Sequence, residues 1–174
     1  MEGVERYKVR LLPHNPAWDE EFLQVKEELS ACWPENIQDI QHVGSTAIPA
    51  ICAKPILDVA VKMKSIALLN TEALVQRGYS YCGPCNASGS YHLFVLRGED
   101  GISLRHIHCY APDEPEFGQV VGFRDYLNAH PETARQYEAL KRTLSAQYAD
   151  NRAQYTAGKE AFILSVYKRM EESR

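Results

Sequence analysis

The sequence has no apolar run approaching the ~18 residues that a bilayer-spanning helix needs, so no membrane partner is expected. It also lacks a surplus of positive charge. Nineteen Lys and Arg against 23 Asp and Glu leave a formal net charge of −4, which offers no general attraction to a polyphosphate backbone and does not favour nucleic acid as a partner. Cysteine is sparse and odd in number: Cys32, Cys52, Cys82, Cys85 and Cys109 make a poor disulfide framework. They fit a reducing compartment, and most of them read as small buried hydrophobes. Met1 to Arg10 carries Glu2, Glu5, Arg6, Lys8 and Arg10 without an apolar centre, so neither a secretory signal nor a transit peptide is expected and the chain reads as cytoplasmic. No internal repeat is present. No stretch has the P-loop pattern of Gly, four residues, Gly-Lys and Ser or Thr, which sets aside the usual P-loop kinase chemistry.

What is present is ordinary globular material. A chain of 174 residues, 45% hydrophobic and 24% charged, is the size of one domain with a core of its own. Asn15-Pro16 supplies a cap and a first-turn proline, and Trp18, Phe22, Val25, Leu29 and Cys32 follow at helical spacing. Ile37 to Val43 and Pro55 to Val61 read as strands around a Gly- and Pro-bearing loop. Ser65 is expected to start a second helix that ends near Gly78, burying Ile66, Leu69, Ala73 and Leu74. Tyr79 to Ser90, rich in Gly, Pro, Asn and Ser, reads as a loop. Tyr91 to Arg97 and Ile102 to Tyr110 read as a hairpin turning at Gly98-Glu99-Asp100-Gly101. After Pro112 helical spacing takes over: Phe117 to Leu127, Tyr137 to Tyr148, and Tyr155 to Met170, with Pro131 as a break and Asp150 or Asn151 as a cap. This order implies an α+β fold with a mixed sheet, a sheet-containing core over about 1–112 and helices over about 113–174.

The segment with the most chemistry is His42-Val43-Gly44-Ser45-Thr46, followed by Ala53-Lys54-Pro55-Ile56-Leu57-Asp58. A Gly-Ser turn offers amides and a hydroxyl to a phosphate oxygen, and a carboxylate on the next strand offers a ligand to a divalent cation. Asp58 stands between apolar residues, where a carboxylate is costly unless paired, protonated or metal-bound. His106 and His108 alternate on a later strand and share a face, so they and Asp58 can form a site if the two strands are neighbours. His42 and His92 are supplementary donors. The competing reading of His106 and His108 is two half-buried strand residues bonded to their neighbours. Lys54 either meets phosphate or pairs with a carboxylate. Arg105 falls on the strand face opposite His106, and Arg124 with Asp125 reads as an interhelical salt bridge. Tyr155 and Lys159 share a helix face. Cys82-Gly83-Pro84-Cys85 looks like a thioredoxin-type redox motif, but no helix is expected after it to lower a thiol pKa.

These blocks, with Arg105-His106-Ile107-His108, Phe123-Arg124-Asp125-Tyr126-Leu127, His130-Pro131 and Tyr155-Thr156-Ala157-Gly158-Lys159, resemble the GrpB (UPF0157) family of the nucleotidyltransferase superfamily. The resemblance spans nearly the whole chain. It implies a nucleotidyltransferase-like mixed sheet packed with helices, and a transferase that moves a nucleotidyl or phosphoryl group. It maps Gly44 and Ser45 to the superfamily's Gly-Ser turn and Asp58 to the first acid of its Asp-x-Asp pattern, with Ala60 where the second acid would stand. Asp58 and Ser45 are then the expected catalytic residues. Gly44, Ser45, Thr46, Lys54, Tyr155 and Lys159 are expected to hold phosphate or nucleotide, with Tyr155 stacking on a base. Asp58, His106 and His108 are expected to hold the metal. The ligands implied are a divalent metal (Mg, Mn or Zn) and a nucleoside triphosphate or another phosphorylated small molecule. One carboxylate with two imidazoles suits Zn, Mn, Fe or Ni more than Mg. The alternative is a catalytically degenerate module that binds a nucleotide, a coenzyme or a metal, in an accessory role in folding or coenzyme A metabolism.

Overall fold

A computed structural model describes residues 1–5 and 7–172, with Asp100 described by its backbone alone. Five strands form one sheet: β1 (Ile37–Val43), β2 (Leu57–Met63), β3 (Tyr79–Pro84), β4 (Tyr91–Arg97) and β5 (Ser103–Tyr110). The spatial order is β1-β2-β5-β4-β3. β2 and β5 run parallel at the centre, and the other neighbours are antiparallel. The fold is therefore α+β with a mixed sheet.

One sheet face is closed by helix α1 (Ala17–Cys32). Its start is fixed by Asn15, whose side-chain oxygen accepts from the Ala17 amide at 3.0 Å. Val25 and Leu29 of α1, with Trp33, pack on Leu57, Val59, Val61, Phe94, Ile107 and Cys109. Each fully buried aliphatic side chain here contributes about 1.5–3 kcal/mol relative to exposure. Arg105 also points to this face and bridges to Glu21 at 2.9 Å and Glu28 at 3.4 Å on α1, as the alternation of β5 requires.

The other face receives α3 (Pro115–Ala129), whose Phe117 packs with Val43, Ala60 and Tyr110. α4 (Pro131–Gln147), α5 (Arg152–Ala157) and α6 (Glu160–Glu172) complete the helical part. A second core joins Phe123, Leu127, Ala134, Tyr137 and Val166 to Ile48 and Ile51 of the loop between β1 and β2, so that loop is clamped by the C-terminal helices.

Three expectations change. Tyr79–Pro84 is a strand, not loop: it is the sheet edge, with Tyr79 buried and a register shift between Tyr81 and Pro84, and an edge tolerates proline. The helix expected from Ser65 to Gly78 divides into a 3-10 turn, Ile66–Leu68, and a single helical turn, α2 (Glu72–Val75). Trp33 Nε1 takes the Asn70 carbonyl at 2.9 Å, and Asn36 bonds both the amide and the carbonyl of Ser65 at 2.9 Å; these tertiary bonds replace those of a continuous helix. The last helix breaks at Gly158, where an added β-carbon would stand 2.5 Å from Leu144 Cδ2 on α4. Asn151 is the cap of α5, accepting from the Gln154 amide at 3.2 Å. No helix among the described residues is long and apolar enough to cross a membrane.

Candidate functional site

The end of β1 is pinned to the acid, for Val43 pairs with Asp58 across the β1–β2 ladder. Gly44 then adopts φ 71° and ψ −171°, a conformation open to glycine and strained for other residues. The chain passes into a 3-10 turn, Ser45–Ala47, and Gly44 and Ser45 line the same hollow as Asp58.

The parallel ladder sets Asp58 opposite His106 and Ala60 opposite His108, so both imidazoles project on the Asp58 side. His106 Nδ1 lies 3.0 Å and His108 Nε2 3.3 Å from Asp58 Oδ1. One ligand atom from each of the three lies within 4.8 Å of the others. Burial alone would raise the Asp58 pKa, but hydrogen bonds to His106 and His108, together with their charge, hold it well below the usual carboxylate range. The Tyr91 hydroxyl sits 2.7 Å from His108 Nδ1, which turns Nε2 toward Asp58 in the way outer partners orient metal-binding histidines. This donor set fits one borderline cation and not a pair of Mg ions. Ala60 is fully buried with Val43, Tyr110 and Phe117, so hydrocarbon occupies the place of a second acid.

A cavity of about 240 Å³ opens in front of Asp58, with Lys54, Arg152 and Lys159 in its walls. Burial, then the charges of Arg152 and Lys159, bring the Lys54 pKa down to about 7. Burial also lowers Lys159 against the opposing pull of Asp58, and lowers Arg152. Among the described residues none of these three cations forms a salt bridge, and Asp58 is the carboxylate that acts on all of them. A second lobe of about 400 Å³ shares Ser45, Asp58, Tyr137 and Lys159 with the first and extends between Tyr91, Tyr110, Glu116 and Tyr167. The two lobes make one cleft, cationic at one end and aromatic at the other.

Several expected residues have other surroundings. Thr46 lines the cavity with Ser45 but is buried, and its hydroxyl meets His42 Nε2 at 2.9 Å. Tyr155 is 1% exposed, and Lys54 and Lys159 place their ammonium groups 5.3 Å and 4.8 Å from its ring centroid. It lines the cavity but is almost wholly buried beside these two cations. His42 lies on the α1 side, stacked on Phe22 and 3.3 Å from Asp19. His92 pairs with Cys109 on that same side and bonds Tyr81, so neither supplements the cluster. Arg124 pairs with adjacent Asp125 and also donates to Gln41 Oε1 and the His42 carbonyl, tying α3 to β1 and not helix to helix. Cys82 lies in β3, and both it and Cys85 are exposed, free and followed by no helix.

Sequence reasoning missed Arg152, Tyr91 and Glu116. Arg152 had a signal: it stands three residues before Tyr155 and seven before Lys159, one face of a helical stretch. Tyr91 and Glu116 reach the cleft through tertiary packing and had none.

The family model for the GrpB protein matches residues 8–169. The chain belongs to the GrpB family. It is 32% identical over 174 residues to the glutamate-rich protein GrpB of Alkalihalophilus pseudofirmus, covering 98% of this chain and 100% of that one. It is 35% identical over 158 residues to the UPF0157 protein YqkA of Bacillus subtilis, covering 90% of this chain and 45% of YqkA, so it spans about half the length of that relative. The crystal structure of GrpB from Enterococcus faecalis superposes with a TM-score of 0.84 at 30% identity, covering 94% of this chain and 98% of that one. The Cid1 poly(U) polymerase, with MgGTP bound, superposes with a TM-score of 0.53 at 13% identity over 78% of this chain and 44% of its own. That likeness shows that the GrpB chain has the nucleotidyltransferase fold.

Proposed function

We propose that this GrpB protein binds a nucleoside triphosphate or a similar polyphosphate beside a single divalent cation and transfers a nucleotidyl or phosphoryl group. The observation that carries the reading is the convergence of Lys54, Arg152 and Lys159, without salt-bridge partners among the described residues, on a concave wall beside Asp58. Uncompensated cations with depressed proton affinity in a hollow call for an anionic ligand. The fold neighbour Cid1 carries MgGTP, in keeping with that ligand class.

In this reading Asp58, His106 and His108 would hold one cation, which when bound would draw charge from a phosphate oxygen. Lys54, Arg152 and Lys159 bind the terminal phosphates and stabilise the charge that gathers on a departing pyrophosphate. The Ser45 hydroxyl orients a phosphate oxygen, and Gly44 lets the backbone come close to it. Attack by an acceptor hydroxyl or amine forms the new bond to the α-phosphorus as the bond to pyrophosphate breaks, or to the γ-phosphorus as the bond to the nucleoside diphosphate breaks, and the acceptor's proton passes to solvent.

A second reading follows from Ala60: with its surroundings filled by Val43, Tyr110 and Phe117, the site binds its ligands without turnover, as an accessory module. Incubation with each nucleoside triphosphate and Mg, Mn or Zn separates the two. Release of pyrophosphate or nucleoside diphosphate that vanishes in Asp58→Asn supports the transferase; a thermal shift without either product supports the module; neither product nor shift removes both.

A further inference from the structure

Helix α3 starts at the mouth of the wider lobe. Glu114 caps it, its carboxylate accepting from the Glu116 amide at 3.3 Å. The Glu114 carboxylate is itself occupied by Asn86 and Ser90. Glu116 turns the other way, into the cleft. Its charge is felt there by Tyr91, Tyr110 and Tyr167, and His108 acts on it in return. Among the described residues its carboxylate has neither a hydrogen bond nor a salt bridge. A first-turn acid that only complemented the helix dipole would stand in water. This one is half-buried, and burial pushes its carboxyl above the ordinary value.

A carboxylate without a partner among tyrosine rings matches an organic cation. The acid supplies the counter-charge, and the ring faces attract the same cation through their quadrupoles. An anion would be repelled there, and a neutral ligand would leave the carboxylate desolvated and unpaired. At the other end of the cleft Lys54 and Arg152 repel a cation, and Lys159 lines both lobes where they meet at Asp58, so a ligand's cationic group is favoured at the Glu116 end and its anionic group at the Lys54 end.

We infer that the wider lobe binds an organic ammonium group, held by Glu116 between the rings of Tyr91 and Tyr167, and that the ligand carried at this end of the cleft is an amine. The inference deepens the reading above by naming the class of the second substrate, but the ammonium site itself does not need the polyphosphate site.

Calorimetry with 1,4-diaminobutane, its neutral counterpart 1,4-butanediol, and inorganic tripolyphosphate tests it. The diamine is expected to bind the intact chain about tenfold or more tightly than the diol, and Glu116→Gln to lose that preference without weaker tripolyphosphate binding. Tyr167→Leu, which leaves the carboxylate in place, is expected to weaken the diamine about three- to tenfold, and serves if Glu116→Gln does not fold. Equal binding of diamine and diol, full diamine affinity in both variants, or no diamine binding up to about 50 mM, weaker than any useful contact, would overturn the ammonium site. Diamine binding without tripolyphosphate binding supports it and removes the polyphosphate reading; tripolyphosphate binding alone does the reverse.

Discussion

Gly44 lies so close to Asp58 that a β-carbon on the glycine would stand 2.7 Å from the carboxylate Oδ2 and 3.1 Å from Asp58 Cβ. The residue also holds φ at 71°, so Gly44→Ala meets backbone strain and a clash together. A loss of about 1–3 kcal/mol in folding stability is expected from the strain. The Asp58 carboxylate must shift to relieve the clash, so Zn or Mn affinity is expected to fall at least about tenfold, given how closely ligand orientation governs affinity. Chemical denaturation and metal titration read the two effects separately; unchanged metal affinity would show that the close approach has no bearing on the cluster.

Tyr91 reaches His108 from β4, hydroxyl to Nδ1 at 2.7 Å. Tyr91→Phe keeps the ring that stacks on Tyr110 at 4.8 Å and removes the bond. Metal affinity is expected to drop about 10–100-fold, while tripolyphosphate binding, at the other end of the cleft, stays as it was. Equal losses for both ligands would point to general disruption.

Lys141 is 1% exposed, donates to the Cys52 carbonyl and lies 5.0 Å over the Tyr137 ring. Burial, then the charge of Lys159, lowers its pKa to about 7 from 10.5. Between those values the unfolded chain binds more protons at this site than the folded one, so stability rises with pH through this window. Above about 8.5 unfolded cysteine thiols begin to ionise and oppose the trend. From pH 7 to 8.5 the melting temperature of the intact chain is therefore expected to gain on that of Lys141→Met. Parallel pH profiles would contradict the burial of a titrating ammonium.

Lys54 carries the same signature for ligand binding. With its pKa at about 7 in the free protein, it is mostly neutral at pH 8, and a polyphosphate beside it favours the charged form. Binding should then take up protons at pH 8, and affinity should decline as pH rises from 7 toward 9. Calorimetry in two buffers of different ionisation enthalpy counts the protons, and Lys54→Met cancels the contribution of the ligand's own titration. Equal uptake by that variant and the intact chain would assign the protons elsewhere.

Much of this arrangement is legible in the chain. Alternation in His106-Ile107-His108, with Arg105 on the reverse side, follows from the period of a strand, and the mixed sheet follows from the order of elements. Two failures have physical causes. Tyr79–Pro84 hides as a strand because an edge exposes most of its residues and accepts Gly and Pro, so periodicity and composition both mislead. Glu116 and Tyr91 hide as cleft residues because their positions depend on how α3 and β4 are seated, a long-range outcome that local pattern does not encode. Tyr155 shows the opposite hazard: its spacing from Lys159 was readable, but its burial under two ammonium groups was not.

The central β2–β5 pairing has a consequence for how this chemistry can be lost. Asp58 faces His106 through the same parallel ladder that joins the middle of the sheet, and a displacement by a single position would present Arg105 and Ile107 to the carboxylate in place of the imidazoles. Such a slip would also turn Leu57, Val59 and Val61 out of the packing beneath α1. Hydrocarbon burial on one side of the sheet thus acts as a ratchet for the polar cluster on the other: thermal motion cannot retune the site without unfolding the core, and drift in its reactivity must come by substitution, residue by residue.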